Sequence, residues 1–326
     1  MGIPSPAHLI DKGLDLTVVG GFSRIGYAVR RRTWHDLAPD ALDGRLVVIT
    51  GPTSGLGFAA SVAMRRMGVS LVLVGRDAGR LARTSASLRA DRPNGGDLVE
   101  VVADMGDLDA VAAAASAIAK LGTPVHALVH NAGALDGTRG VSPQGIEQTI
   151  ATHVIGPHLL TTSLLATTEV SKVVIVSSGG MYASPLPDLA AGGSLEMPAD
   201  RYDGTKQYSI AKRAQVTLNE LWAERVPGTW FGSMHPGWAD TPGVRSSIPG
   251  FAKVTGPILR TAEQGADTVV WLVATEDVLP SGRFWSDRAE RPVHRVPGTR
   301  GADTPAARAA LWEWCDQAIA AHTATA

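Results

Sequence analysis

Leu46-Val47-Val48-Ile49-Thr50-Gly51-Pro52-Thr53-Ser54-Gly55-Leu56-Gly57 sets a short apolar, β-branched run directly against three glycines. Such a run reads as a strand buried on both faces, and the residues that follow continue at helical spacing to Met67. Strand, glycine turn and helix in that order make a cradle for a phosphate group. Glycine lets the backbone turn sharply, and an anion can then approach the free N–H groups at the helix start. The spacing G-x-x-x-G-x-G differs from the G-x-G-x-x-G of many dinucleotide folds, so the turn alone does not identify a nucleotide site. An earlier apolar run into glycines, Thr17 to Gly26, leads to no second strand with its own turn, and the cradle is placed at 50–57.

Outward from this stretch, apolar runs at 46–50, 70–75, 98–103, 125–130, 172–177, 229–234 and 283–285 alternate with helical patterns at 55–67, 78–90, 107–121 and 146–165. A last helix is expected near 305–322. Near-continuous apolar strands separated by helices predict a parallel sheet covered on both faces. With right-handed crossovers this is an α/β, Rossmann-type, doubly wound sheet of about seven strands in a single domain.

Two segments fall outside the rhythm. Residues 1–44 form an N-terminal extension before the domain at 45–326. Leu14, Val18, Phe22, Ile25 and Val29 recur there at helical spacing beside Arg24 and Arg30–Arg32. A basic amphipathic helix of that kind packs on its own domain, makes peripheral membrane contact or docks on a partner. Residues 184–203 make a long loop rich in proline and glycine, a length often used for functional lids.

The chain has 326 residues, 44% of them apolar and 19% charged, enough for a large core. Thirty basic and 31 acidic side chains leave a net charge of -1, which argues against nucleic acid as a partner. The single Cys315 excludes an intramolecular disulfide and a cysteine-rich zinc site, and no metal is expected. No run of about 18 apolar residues is present, and the first residues lack the order of a secretory signal. The expectation is a soluble, cytoplasmic protein.

The second strand ends Leu73-Val74-Gly75-Arg76-Asp77. An NAD(H) site wants a carboxylate there for the ribose 2′-hydroxyl, whereas the guanidinium of Arg76 suits a 2′-phosphate, so NADP(H) is favoured over NAD(H). Arg76 is alternatively a solvent-facing residue beside an Asp77 helix cap.

A tyrosine and a lysine at i,i+4 share a helix face, where the ammonium lowers the phenol pKa and makes a usable acid or base. With four tyrosines and six lysines in the chain, about 0.07 such pairs are expected by chance. Two occur, Tyr202–Lys206 and Tyr208–Lys212. The first passes through Asp203-Gly204, a turn signal, while the second leads into an apolar-patterned stretch at 213–225. Tyr208–Lys212 is therefore the pair that shares a helix.

The glycine turn 50–57, Asn131-Ala132-Gly133 after the fourth strand, Ser177-Ser178 after the fifth and Tyr208-x-x-x-Lys212 together resemble the signature of the short-chain dehydrogenase/reductase family. The resemblance implies that Ser178 hydrogen-bonds the substrate oxygen, Tyr208 exchanges the proton, and Lys212 holds the ribose and lowers the tyrosine pKa. Ser177 is the alternative serine, and strand alternation sends the two to opposite faces. Cofactor contacts are implied at Gly51, Thr53, Ser54, Gly55, Leu56 and Gly57, and at Tyr208 and Lys212 themselves. Asp104 and Met105 fall at the adenine edge, and Asn131, Ala132 and Gly133 near the ribose. Pro236, Gly237 and Thr241 fall by the nicotinamide and pyrophosphate. His153 stands where the family usually has an asparagine that supports a water chain from the lysine. Imidazole also relays protons, and a merely packed histidine fits the position as well.

The expected function is that of an NADP-dependent alcohol dehydrogenase or carbonyl reductase acting on an apolar small-molecule carbonyl or alcohol whose size the sequence does not set. The alternative is a catalytically weak dinucleotide-binding sensor or scaffold. Members of the family are commonly dimers or tetramers, so a homo-oligomer is one expectation, although no feature of this sequence fixes the oligomer.

Overall fold

β1 (Leu46–Thr50) is buried along its whole length, as an unbroken apolar run requires. It pairs in parallel with β2 (Ser70–Gly75) on one side and β4 (Val125–His130) on the other. β3 (Leu98–Val102) closes one edge, and β5 (Val170–Val176), β6 (Trp230–Met234) and β7 (Arg283–Ser286) extend the sheet the other way. The order β3-β2-β1-β4-β5-β6-β7 reverses between β1 and β4, where the carboxyl ends of the strands leave a crevice. The computed structural model describes residues 6–240, 245, 250, 253 and 255–323, and it has the Rossmann-type α/β fold that the alternating pattern predicts.

An eighth strand, β8 (Ala289–Glu290), adds antiparallel to β7. It escapes the sequence reading because its turn, Asp287-Arg288, takes positive φ at both residues (52° and 54°) without the Gly or Asn that normally signals such a turn.

Alternate strand residues serve two cores. Val48, Val72 and Leu128 pack with α6 (Leu108–Ala119), α8 (Gly156–Thr167), α9 (Gly204–Arg225) and the C-terminal helix α11 (Pro305–Thr323). Val47, Ile49, Leu71 and Leu73 pack with α4 (Gly55–Arg66), α5 (Ala78–Asp91) and α10 (Ala262–Ala274).

The helix expected over 146–165 is interrupted. A short α7 (Gln148–Ile150) runs into a π-helical turn, Ala151–Ile155, before α8 begins. Pro157 has no N–H to give the carbonyl of His153 four residues back, and that carbonyl instead accepts Nε2 of Gln215 at 2.7 Å.

Residues 6–31 form three short helices, α1 (Pro6–Asp15), α2 (Val18–Phe22) and α3 (Arg24–Arg31), in place of the single amphipathic helix read from the spacing. Ser23 caps α3 and breaks the stripe: Phe22 is buried while Ile25 is half exposed. Loop 184–203 is no free lid. Leu186 and Leu195 are buried, and the Gln207 amide ties Met197 N and Leu195 O to α9 at 2.7 and 2.9 Å.

Candidate active site

The glycine turn forms against the end of β4. Gly51 has φ +67°, and a Cβ there would lie 2.8 Å from Ala132 Cα, so only glycine fits. The Asn131 amide donates to Thr50 O and Gly51 O, both at 3.0 Å, while Thr50 Oγ1 accepts from the backbone of Asn131 and Ala132. Asn131 thus shapes the turn with its side-chain N–H groups. α4 starts at Gly55 with no side-chain cap from Ser54, which leaves its first N–H groups facing the crevice.

Arg76, with its side chain 75% exposed, follows β2 directly and sets its guanidinium 4.0 Å from Asp104 Oδ2. Asp77 does cap α5, accepting from Arg80 N at 2.9 Å. Thr53, Ser54, Phe58, Arg80, Arg83, Thr84 and Ser87 line an open cleft of about 240 Å³ beside the glycine turn. Arg80 and Arg83 escape the sequence reading, although their i,i+3 spacing on the helix after Arg76 is the signal that would find them. Asp104 holds its own loop through Gly106 N at 2.9 Å, and Met105 is buried in the core.

Asp203 caps α9 through Thr205 N and Lys206 N, so the helix begins at Gly204 and leaves Tyr202 outside it. Tyr202 donates to Glu147 Oε1 at 3.0 Å, which pins it away from Lys206's helix. Tyr208 and Lys212 lie one turn apart on α9, with Nζ 5.3 Å from the phenol ring centroid. Ser178, just after β5, hydrogen-bonds the Tyr208 hydroxyl, and its Oγ also accepts from Gly180 N at 3.1 Å. Ser177 faces the other way and donates to Lys212 O at 3.1 Å.

The electrostatics differ from the expected lowering of the tyrosine. Burial pushes Tyr208 up to about 12, against a smaller lowering from the Ser178 hydrogen bond. Lys212 does not offset this. Burial draws it down to about 7, and its Nζ donates to Val176 O at 2.9 Å.

His153 lies in the π-helical turn, edge-on to Tyr208 at 5.4 Å between ring centroids. Its Nε2 is 3.0 Å from Ala134 O, which makes that nitrogen the donor, and its Nδ1 is buried without a partner among the described residues. Burial and the Lys212 charge lower it to about 3, so the ring is neutral at physiological pH. The ring also occupies the space above Gly133, where a Cβ would come within 2.0 Å of Cε1. Behind it, His130, His158 and Gln215 join His153 around a small cavity of about 10 Å³. Each of these four has one buried, unpartnered polar atom among the described residues.

On the far side, Gly237 has φ +72° and sits against the Arg260 guanidinium, while Pro236 O accepts from Arg260 Nη1 at 3.2 Å. Thr241 lies outside the described residues. Among the described residues no helix is long and apolar enough to cross a membrane.

The sequence profile described as short chain dehydrogenase matches residues 45–186. The chain is 34% identical over 288 residues to dehydrogenase/reductase SDR family member 12 of Homo sapiens, across 87% of this chain and 88% of that one. It is 30% identical over 281 residues to DnrU of Streptomyces sp. (strain C5), a proposed daunorubicin C-13 ketoreductase, across 86% of this chain and 94% of that one. A solved structure described as a short chain dehydrogenase from Escherichia coli CFT073, complexed with NADPH, shares the fold. Its TM-score is 0.62 at 18% identity, over 77% of this chain and 100% of that chain. This chain belongs to the short-chain dehydrogenase/reductase family of oxidoreductases, which bind a nicotinamide dinucleotide.

Proposed function

We propose that the protein is an NADP(H)-dependent carbonyl reductase for a small, apolar ketone or aldehyde. The observation that carries this reading is the convergence of Ser178, Tyr208 and Lys212 at the carboxyl ends of the strands. The crevice suits the dinucleotide. Gly51 permits close approach, the start of α4 is uncapped, Arg80 and Arg83 line the cleft beside the glycine turn, and Arg76 just after β2 supplies a further guanidinium for a 2′-phosphate.

When bound, the reduced cofactor supplies a hydride to the carbonyl carbon. Gly180 N–H donates to the Ser178 oxygen, so the serine proton points away from Gly180, and the hydroxyl that now bonds Tyr208 would turn to a substrate oxygen. Tyr208, kept protonated by burial, gives its proton to that oxygen as negative charge develops there. The Lys212 ammonium, 5.3 Å from the phenol ring centroid, places positive charge beside the phenolate that remains. A phenol held at about 12 favours reduction, because alcohol oxidation needs the phenolate first.

Screening NADPH oxidation with ketones, aldehydes and lipid carbonyls tests the reading. Tyr208→Phe should lower turnover by about 10²–10⁴-fold while leaving NADPH binding intact. Full activity in a folded Tyr208→Phe protein would refute the mechanism, and NADPH binding without any turnover would favour a sensor or scaffold.

Ile10, Leu16, Val19 and Ile25, between 48% and 88% exposed, give the N-terminal helices an outward apolar face. That face supports peripheral membrane contact, although Arg30 is buried and contributes nothing to a basic surface. Co-sedimentation with anionic liposomes should fall on Leu16→Ser with Ile25→Ser, and unchanged binding would overturn the reading.

A further inference from the structure

We propose that the N-terminal helices form a wall of the active site and that Phe22 is a positioning residue for the reaction. The inference rests on the reading of Ser178, Tyr208 and Lys212 given above.

Phe22 reaches both loops that frame the reacting centre. Its ring lies against Gly179, the neighbour of Ser178, where an added Cβ would come within 2.2 Å of Phe22 Cε1. The same ring stacks on His235 at 4.6 Å between centroids and 16° between planes. Its carbonyl accepts from Trp238 N at 2.8 Å and lies 2.6 Å from where a Cβ on Gly237 would be. One residue of the extension therefore spaces the Ser178–Gly179 loop from the loop 235–238 after β6. Tyr182 and Trp238 complete an aromatic cluster around it, which favours an apolar substrate over a charged one.

A buried charge cluster holds this wedge in place. Asp287, with its side chain 1% exposed, takes Arg30 at 2.7 Å and Arg260 at 2.7 and 2.8 Å. Arg260 also donates to Gly21 O, Ser23 O and Pro236 O, so one guanidinium grips the backbone on both sides of Phe22 and the loop after β6. Arg291 adds a two-pronged contact to Asp11 at 2.8 Å. Removing one partner from such a cluster leaves a buried charge uncompensated, so its residues are poor probes of the wedge itself. Phe22 is the better one.

The test uses the full chain with Phe22→Ala and Phe22→Leu, the second keeping most of the volume. Amide hydrogen exchange in 178–182 and 235–240 should speed up at least ~10-fold in Phe22→Ala, with β1–β4 unchanged. In NADPH oxidation with methyl ketones of rising chain length, Phe22→Ala should lose about 10- to 100-fold in kcat/KM on the shortest. Its preference should move towards the longer ketones, NADPH affinity should stay within about twofold, and Phe22→Leu should recover most of the loss. Unchanged exchange in both loops, or loosening spread evenly over the sheet, would overturn the proposal. So would an unchanged chain-length preference in an active Phe22→Ala protein. If the unsubstituted protein binds NADPH and reduces none of the ketones, the functional reading fails, and the exchange result alone decides whether Phe22 spaces the loops.

Discussion

Replacing Lys212 with methionine should make the protein more stable and catalytically poor at once. Burial draws this lysine from 10.5 to about 7. At about 1.4 kcal/mol per pKa unit, keeping it charged in the folded protein costs roughly 5 kcal/mol. Because the folded pKa lies below the unfolded one, that cost is complete below pH 7 and fades as pH rises towards 10.5. Methionine fills similar space without charge but strands Val176 O, now bonded at 2.9 Å, at a cost of ~1–3 kcal/mol. The net expectation for Lys212→Met is a gain of about 2–4 kcal/mol near pH 6.5, shrinking to about zero or below by pH 9.5. Urea unfolding of both proteins at these two pH values measures the difference, and NADPH oxidation confirms the loss of turnover. A stability difference that does not change with pH would refute the reasoning, as would a variant less stable than the parent near pH 6.5.

Arg76→Ala should weaken NADPH binding about 10-fold, an exposed charge-assisted contact being worth about 1.5 kcal/mol, and leave NADH binding unchanged. Titration by cofactor fluorescence reads both, and equal losses for the two cofactors would remove Arg76 from the 2′-phosphate site. Gly133→Ala should destabilise by about 1–3 kcal/mol, because the new methyl enters the His153 ring. Adding His153→Ala should return part of that loss, so thermal unfolding of the double variant will show coupling of roughly 1 kcal/mol, whereas strict additivity would mean the contact is not the cause.

Much of the scaffold is legible because its signals are local. The parallel strands are near-continuous apolar runs, and β1, β2 and β4 begin and end where those runs do. The choice between two tyrosine–lysine pairs also rests on neighbours in sequence, since Asp203 caps α9 and so excludes Tyr202 from it. What resists reading is set by partners far along the chain. Asp287 tolerates φ +52° in a glycine-free turn, and its carboxylate is held by Arg30, 257 positions earlier, and by Arg260. The lowering expected of Tyr208 follows from spacing alone, but burial decides the sign, and burial belongs to the whole fold.

The same division explains why the extension reads as an appendage. Helical spacing reports that one face of a segment is apolar, and it says nothing about what that face meets. Here Ser23 divides the stripe, so Phe22 turns in towards Gly179 and His235 while Ile25 turns out. An amphipathic pattern that would place all five residues on one surface thus serves two. Gly179 and Gly237 carry the evidence from the other side, since each is confined by Phe22. Gly179, beside Ser178, and Gly237, in the loop after β6, flank the proposed site, where a glycine would leave room for a ligand; both also make room for residue 22, which ties the extension to that proposed site more firmly than its own sequence does.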